Sequence, residues 1–558
     1  MNIKNRSHIL HRALASLLCL LSSYSSSTVA IASPAPLSSR DYLRKPKLIV
    51  VLVIDQFRAD YLTRFASRFL PAQGKAGVGG FRYLMENGAY YPFAEHDVLQ
   101  NMTCPGHVSI LTGAQPYASR IPLNEWFDSE KEKHVYCVDD DESPIVGSES
   151  SKGHGASPRL LKTTTVGDEL KGAGYSSKVV AIGLKDRSAI MLGGHRADLA
   201  IWFDAKNYKW ISSRYYLPDG TLPSWLDALN KTINKQKGGT FTWSTKEPET
   251  GLSNESDRGP FQRSFIIGTK DALRSPVGVA LTTEAAIETA KALRLGQGSS
   301  PDILAISYSS HDMMGHKVGP NAREMEELTV DEDRNLSQLF RKLDKSVPGG
   351  LKSVLIVLTA DHGVAPIVGQ NIAGKLESAL IDQDALVGRI NEKLVERFGP
   401  VEKSGWIMAS RSFNFYLNHR AIKEKKLSAR DFENEIKKLL LKEPGVETAF
   451  SVGDYYAKTL PPGMYSKQIM TSYIPGMNGD VMMIPRAFFM EDRDPATHMT
   501  GYSYDRMVPL VIAGPNIRPG VYAEKAHVVD IAPTLSFLLG IIAPPHVEGR
   551  VLAEIIGK

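Results

Sequence analysis

The stretch KLIVVLVID, residues 47–55, strings seven apolar residues together and then stops on a carboxylate, Asp55. A short, near-continuous run rich in Val and Ile reads as a strand buried on both faces, as in a parallel sheet covered by helices. Four further runs share this plan: SSKVVAIGLKDR (176–187), PDILAISYSSHD (301–312), SVLIVLTADH (353–362) and MVPLVIAGPNI (507–517). Helical candidates fall among them at TVGDELKGAG (165–174), TTEAAIETAKALRLG (282–296) and TVDEDRNLSQLFRKLDKSV (329–347). The alternation predicts an α/β fold, doubly wound, with a mostly parallel sheet, helices on both faces and inserted cap segments.

The polar residues that end these runs carry the functional signal. Open α/β sheets bind ligands beyond the carboxyl ends of their strands. Here those ends deliver Asp55, Lys185 with Arg187, Asp312, and Asp361 with His362. His316 follows Asp312 by four residues, on one helical face or around a Gly-containing loop, and His498 lies in a polar turn before the last run. A lone Asp–His pair reads more readily as a cap beside a surface histidine. Six ligand-type residues at mutually accessible strand ends are enough for two metals, and imidazole with carboxylate suits zinc, manganese or iron better than calcium. His311 is expected to point away from Asp312. His96, His134, His154, His195, His419, His527 and His546 have no evident partner and read as structural or solvated.

A second stretch, NMTCPGHVSILTG (101–113), offers three nucleophiles, Thr103, Cys104 and Ser109. Pro105 suits the first turn of a helix and Gly113 its stop. Thr103 then sits at the helix N-terminus, where free N–H groups and the macrodipole favour an anion and a metal can activate a hydroxyl. Ser109 falls further into the helix, on the wrong side of the turn. Cys104 invites comparison with sulfatases, which convert a Cys-x-Pro-x-Arg segment. Pro105 follows Cys104 directly and the Arg is missing, so that reading weakens.

Length and composition frame these motifs. With 558 residues the chain exceeds one compact core, and segments at about 205–280 and 375–490 break the alternation as insertions. In the second, SFNFYLN (412–418), a helix opened by Ser428 with Asp431 three residues on, and EPGVETAFSV (443–452) suggest a small β-α-β cap. Lys4, Arg6 and Arg12 precede the apolar run ALASLLCLL (13–21), with Ala30 and Ala32 at cleavage positions. This is the plan of a signal peptide over residues 1–32, followed by a linker over 33–46. Its removal leaves 63 basic against 61 acidic residues, a net charge of +2, which gives no reason to invoke a nucleic-acid polymer. The apolar run is too short for stable membrane insertion. The expectation is export to the bacterial periplasm or beyond. There, Cys104 and Cys137 either pair or remain as two separate thiols.

Taken together, LIVVLVIDQFRADYL, MTCPGHVSILTG, NEWFD, GLKDRSAI, HDMMGHKVGP, TADHGV and THMTGYSYD resemble the alkaline phosphatase superfamily. More closely, they resemble the PafA-type, phosphate-irrepressible bacterial alkaline phosphatases, relatives of the nucleotide pyrophosphatase/phosphodiesterases. The resemblance runs from about residue 47 to the C-terminus, giving one catalytic domain over 47–558, and implies an alkaline phosphatase-like core with two Zn2+ ions. It implies that Asp55, Thr103, Asp361 and His362 hold one zinc, and Asp312, His316 and His498 the other. Thr103 matches the nucleophile, Asn124 an asparagine that contacts a phosphoryl oxygen, and Lys185 and Arg187 a pair at the phosphate and leaving group. Two cations alternating along an extended segment would reach one side together. The function so implied is hydrolysis of small-molecule phosphate monoesters through a phosphothreonine. The alternatives are a phosphodiesterase or nucleotide pyrophosphatase with the same metals, or a non-catalytic binding protein.

Overall fold

The computed structural model describes residues 45–557, except 75–76, 149–153, 246–260 and 403–404. The signal peptide expected over 1–32 lies outside the described residues. Around the site the chain forms β1 (Leu48–Ile54), β2 (Gly88–Glu95), α1 (Thr103–Thr112), β3 (Val179–Gly183), α2 (Asp186–Gly193), β4 (Leu199–Asp204), β5 (Asp302–Tyr308), α3 (Ser310–Val318), β6 (Val354–Thr359) and β7 (Met507–Ala513). Each of the five apolar runs supplies one of these strands.

The strands belong to a 12-stranded sheet in which β2, β7, β6, β1, β5, β3 and β4 are successive neighbours. From β6 to β4 they run parallel. Every residue of β1, β3, β5 and β6 is buried. Successive strand residues point to opposite faces, so complete burial means that both faces are covered. Each buried Val, Leu or Ile contributes about 1.5–3 kcal/mol. The unbroken apolar runs follow from this.

The fifth run departs from the parallel expectation, because β7 lies antiparallel to β6 and to β2. The reason is the path of the chain. It leaves β6 at the carboxyl edge of the sheet, builds the segment at about 375–490, and re-enters from that same edge. Register then gathers the functional residues. Ile54 pairs with Tyr308, Val53 with Thr359, and Ser307 with Gly183, so the parallel strands end level. Asp55, Asp312, Asp361 and Lys185 follow those ends by one to four residues, and His498 precedes β7, whose beginning lies at the same edge.

Two helices start earlier than their apolar spacing implied. Pro276–Ala292 is opened by Ser275, whose side chain accepts the Val277 N–H, with Pro276 in the first turn. Arg323–Ser346 likewise begins six residues before 329. In the second insertion the strands Ile407–Arg411, Asn414–Leu417, Val481–Pro485 and Val446–Ser451 are successive antiparallel neighbours, so Asn414–Leu417 and Val446–Ser451 run parallel in the expected β-α-β order, split by Val481–Pro485 between them. Ser428 accepts the Asp431 N–H to open the helix Ala429–Leu440, which buries Phe432, Ile436, Leu439 and Leu440. In the first insertion, the strand Lys209–Ser213 extends the main sheet beside β4. No helix among the described residues is long and apolar enough to cross a membrane.

Candidate active site

Two groups of ligand-type side chains assemble at the carboxyl edge: Asp55, Asp361 and His362 in one, Asp312, His316 and His498 in the other. Within each, the candidate ligand atoms lie within 4.8 Å of one another. Asp312 and His316 share one face of α3, which settles the helix-or-loop alternative; His316 Nε2 lies 3.1 Å from Asp312 Oδ1.

The histidine tautomers fit metal binding. His316 Nδ1 lies 2.8 Å from the Ala496 carbonyl, His498 Nδ1 2.7 Å from that of Asn101, and His362 Nδ1 3.0 Å from that of Gly363. A carbonyl only accepts, so each Nδ1 carries the proton and each Nε2 keeps its lone pair for a ligand. His362 Nε2 lies 3.4 Å from both Asp55 Oδ1 and Asp361 Oδ2, yet none of the three atoms makes a well-directed hydrogen bond. Buried polar atoms that face one another unbonded suit a cation between them.

Electrostatics point the same way. Burial, then the neighbouring Asp312 and Asp361 charges, push the Asp55 carboxyl well above its ordinary range, against Lys185. Burial also opposes the Asp312 charge, but Lys185, His316 and His498 outweigh it and hold that carboxyl well below. Lys185 Nζ bridges the groups, 2.6 Å from Asp55 Oδ2 and 2.5 Å from Asp312 Oδ2. The rings of His362 and His498 stack with centroids 3.6 Å apart. The two groups are one site.

Thr103 is the first residue of α1 and is buried, with Arg187 Nη2 3.5 Å from its Oγ1. Asn124 Oδ1 accepts the Cys104 N–H at 2.7 Å, which leaves the amide nitrogen of Asn124 as the free donor. Asn124 and Arg187 line a cavity of about 260 Å³ together with His316 and His498. Ser109 is turned inward, donating to the Gly106 carbonyl at 2.8 Å. Cys104 is joined to Cys137 in a disulfide, so neither is a free nucleophile. One local expectation fails: Lys185 and Arg187 do not alternate on a strand. Lys185 is the N-cap of α2 and Arg187 lies in its first turn. The helix starts there because β3 ends at Gly183.

The comparisons with known proteins decide the family. The profile of the type I phosphodiesterase / nucleotide pyrophosphatase family matches residues 49–490. The chain belongs to this family. Alkaline phosphatase PafA of Elizabethkingia meningoseptica is 32% identical over 92% of the chain and 95% of its own length. Alkaline phosphatase PhoV of Synechococcus elongatus is 33% identical over 92% and 93%. The crystal structure of wild-type PafA superposes with a TM-score of 0.82 at 31% identity, over 92% of this chain and 99% of that one. A PafA variant bearing Thr→Ser, Asn→Ala, Lys→Ala and Arg→Ala substitutions gives 0.79 at 30% identity, with the same coverage. This phosphodiesterase-family chain is thus an enzyme of the alkaline phosphatase kind, a phosphoesterase with a metal cofactor.

Several residues of the site carry little local sequence signal. Gln56 donates its N–H to Asp361 Oδ1 at 3.1 Å and its amide to Asp312 Oδ1 at 2.8 Å, from a left-handed backbone at φ 66°. Non-glycine residues held there cluster at functional sites. A Cβ on Gly315 would fall 1.9 Å from the Gln56 side chain, and one on Gly106 would fall 2.3 Å from the Asp361 carbonyl, so both glycines permit close approach. His107 donates Nδ1–H to the Thr103 carbonyl at 2.9 Å and lies 3.1 Å from Asp361 Oδ2. Its i, i+4 spacing from Thr103 was the available signal. Tyr136 donates to Asp186 at 2.6 Å and accepts from Arg187 at 3.2 Å. His311 turns away from the site, as expected, toward Thr329 at 3.1 Å. His134 and His419 do have partners, Glu125 at 3.0 Å and Asp480 at 2.9 Å, and His96 meets the Ala360 carbonyl at 2.9 Å.

The disulfide ties the residue after Thr103 to the residue after Tyr136, and Asn124 bonds both cysteines, since its carbonyl accepts the Cys137 N–H at 3.0 Å. Removing this cross-link with Cys104→Ser/Cys137→Ser is expected to lower stability by about 2–4 kcal/mol. It should also lower kcat/KM by about tenfold or more, through loosened Asn124 and Tyr136. Urea unfolding beside phosphate-release kinetics checks both; unchanged kinetics would leave the bond a purely structural staple.

Proposed function

We propose that this chain is exported and hydrolyses small-molecule phosphate monoesters through a phosphothreonine on Thr103, with two zinc ions resident in the site. The observation that carries the reading is the hydroxyl of Thr103, set at a helix N-terminus within reach of Arg187 and beside two assembled Asp/His groups. Asp55, Thr103, Asp361 and His362 would hold one zinc, and Asp312, His316 and His498 the other. When bound, the metals supply Lewis-acid stabilisation of the attacking and leaving oxygens and ease deprotonation of the nucleophile and of water.

The chain's own residues do the rest. Arg187 and the Asn124 amide bind the non-bridging phosphoryl oxygens and align phosphorus with Thr103 Oγ1. The Oγ1–P bond forms as the bond to the ester oxygen breaks, and the alcohol leaves with a proton. Water then attacks phosphorus from the vacated side, returning Thr103 and releasing inorganic phosphate. The substituted PafA variant supports these assignments. Its Thr, Asn, Lys and Arg positions are spaced by 21, 62 and 2 residues. Thr103, Asn124, Lys185 and Arg187 are spaced by 21, 61 and 2. Export to the periplasm or beyond is supported by the basic-then-apolar N-terminus and by the Cys104–Cys137 disulfide, which belongs in an oxidising compartment.

The family description itself favours a second reading, a diesterase or nucleotide pyrophosphatase. A monoester dianion presents one more charged oxygen than a diester, so Lys185 should matter more for monoesters. We expect Lys185→Ala to lower kcat/KM for a phenyl monoester by about 10²–10³ and for the matching diester by less than about tenfold. An equal loss on both, or a wild-type enzyme that prefers the diester, would overturn the monoesterase assignment.

A further inference from the structure

The cavity lined by Asn124 and Arg187 takes in two further arginines. Its lining includes, besides Arg187 and Asn124, Arg411 from the inserted segment and Arg493 just after it. A phosphate seated at Arg187 and Asn124 would share that cavity with both arginines, and Arg411 bonds Glu125, the chain neighbour of Asn124.

Arg411 is held there by a built turn. It ends the strand Ile407–Arg411 and pairs with Asn414, so Ser412 and Phe413 form a two-residue hairpin loop. Both have positive φ, 49° and 60°. Such turns ordinarily use Asn-Gly, and Ser-Phe persists in one only where its surroundings enforce it. They do so here. The Ser412 carbonyl accepts from the buried Gln100 amide at 2.7 Å, and the Phe413 N–H donates to the buried Gln383 Oε1 at 2.6 Å. Glu125 then orients Arg411, accepting from its Nη2 at 3.2 Å, while its other oxygen meets His134 at 3.0 Å. Arg493 is set by Glu491, whose buried carboxylate takes one guanidinium nitrogen at 2.9 Å and has its second oxygen unpartnered.

Each guanidinium has five N–H donors, and the ion pairs to Glu125 and Glu491 engage only a few of them. Two acids also line the cavity. Glu125 has both oxygens engaged, and Asp494 is half exposed, 3.9 Å from His316 Nδ1. The remaining donors of the two arginines suit a planar or tetrahedral anion, which guanidinium binds bidentately. The volume of about 260 Å³ falls below the roughly 300–1,000 Å³ of sites for drug-sized ligands, which suits a small alcohol.

We propose that Arg411 and Arg493 form an anion subsite for the leaving group, and that the preferred substrates are small phosphate monoesters whose alcohol carries a second anionic group. This rests on the monoesterase reading above. The test uses three-carbon esters with the metal-loaded enzyme: glycerol 3-phosphate, with a neutral alcohol; 3-phosphoglycerate, with a carboxylate; and 2,3-bisphosphoglycerate, with a further phosphate. The wild type is expected to favour one or both anionic esters by about tenfold or more in kcat/KM, chiefly through KM. Which of the two is favoured identifies the second anion. Arg411→Gln/Arg493→Gln should erase that preference while leaving glycerol 3-phosphate within about twofold. Arg411→Lys and Arg493→Lys keep the charge and should retain much of it. A flat series in the wild type, or an equal loss on all three esters in the double variant, overturns the subsite. A wild type that turns over a diester faster than any of the three is the separate failure of the monoesterase reading.

Discussion

Thr103→Ala is expected to lower monoester turnover by at least about 10³-fold without changing the fold or the metal content of the Asp312–His316–His498 group. Thr103 is buried at the start of α1, and its backbone contacts, the His107 bond to its carbonyl among them, do not need the hydroxyl. Cys104→Ser by contrast should act only through the lost disulfide, and Ser109→Ala only through a lost bond to the Gly106 carbonyl. Phosphate-release kinetics on the three variants, with circular dichroism as a control for folding, separate these outcomes. A Thr103→Ala enzyme with near-normal turnover would remove the hydroxyl from the chemistry.

Removing the metals should have an effect of similar size. Asp55, Asp312 and Asp361 are buried together, and the one lysine among them, Lys185, bonds two of the three. Stripped of cations, the site leaves uncompensated negative charge in a poorly solvated place, as the raised Asp55 carboxyl records. A cation that binds the folded chain at about 1,000 times its dissociation constant stabilises it by about 4 kcal/mol. Prolonged chelation is therefore expected to lower the melting temperature by several degrees and monoester activity by about 10³-fold or more. Zinc should restore both, and elemental analysis should return two ions per chain. One ion per chain, or full activity in chelator, contradicts the two-metal site.

The parts of this site that could be read in the sequence were those announced by local pattern. KLIVVLVID needs only its own composition to be recognised as a doubly buried strand, and Asp55, which ends it, had to emerge at a sheet edge. Thr103 was legible because Pro105 and Gly113 bracket a helix. Long-range geometry was hidden. Nothing local in MVPLVIAGPNI shows that β7 runs antiparallel, since direction depends on where the chain re-enters the sheet. Gln56 reaches Asp312 across 256 positions and Asp361 across 305, contacts no spacing rule anticipates. GLKDR reads as a continuing extended segment because nothing in it signals that the strand ends at Gly183 and a helix starts at Asp186. The placement of Arg411 is equally hidden, because Ser412-Phe413 carries none of the usual signals of a tight hairpin turn.

The central claim is that the phosphoryl group passes through Thr103. The most direct measurement is rapid acid quench of the metal-loaded enzyme during turnover of a monoester, followed by peptide mass spectrometry. The account expects one phosphoryl group on the peptide containing Thr103, localised to that residue and absent from Thr103→Ala. Phosphate on another residue of that peptide, or a Thr103→Ala enzyme that still accumulates a phosphoryl-enzyme, would contradict it.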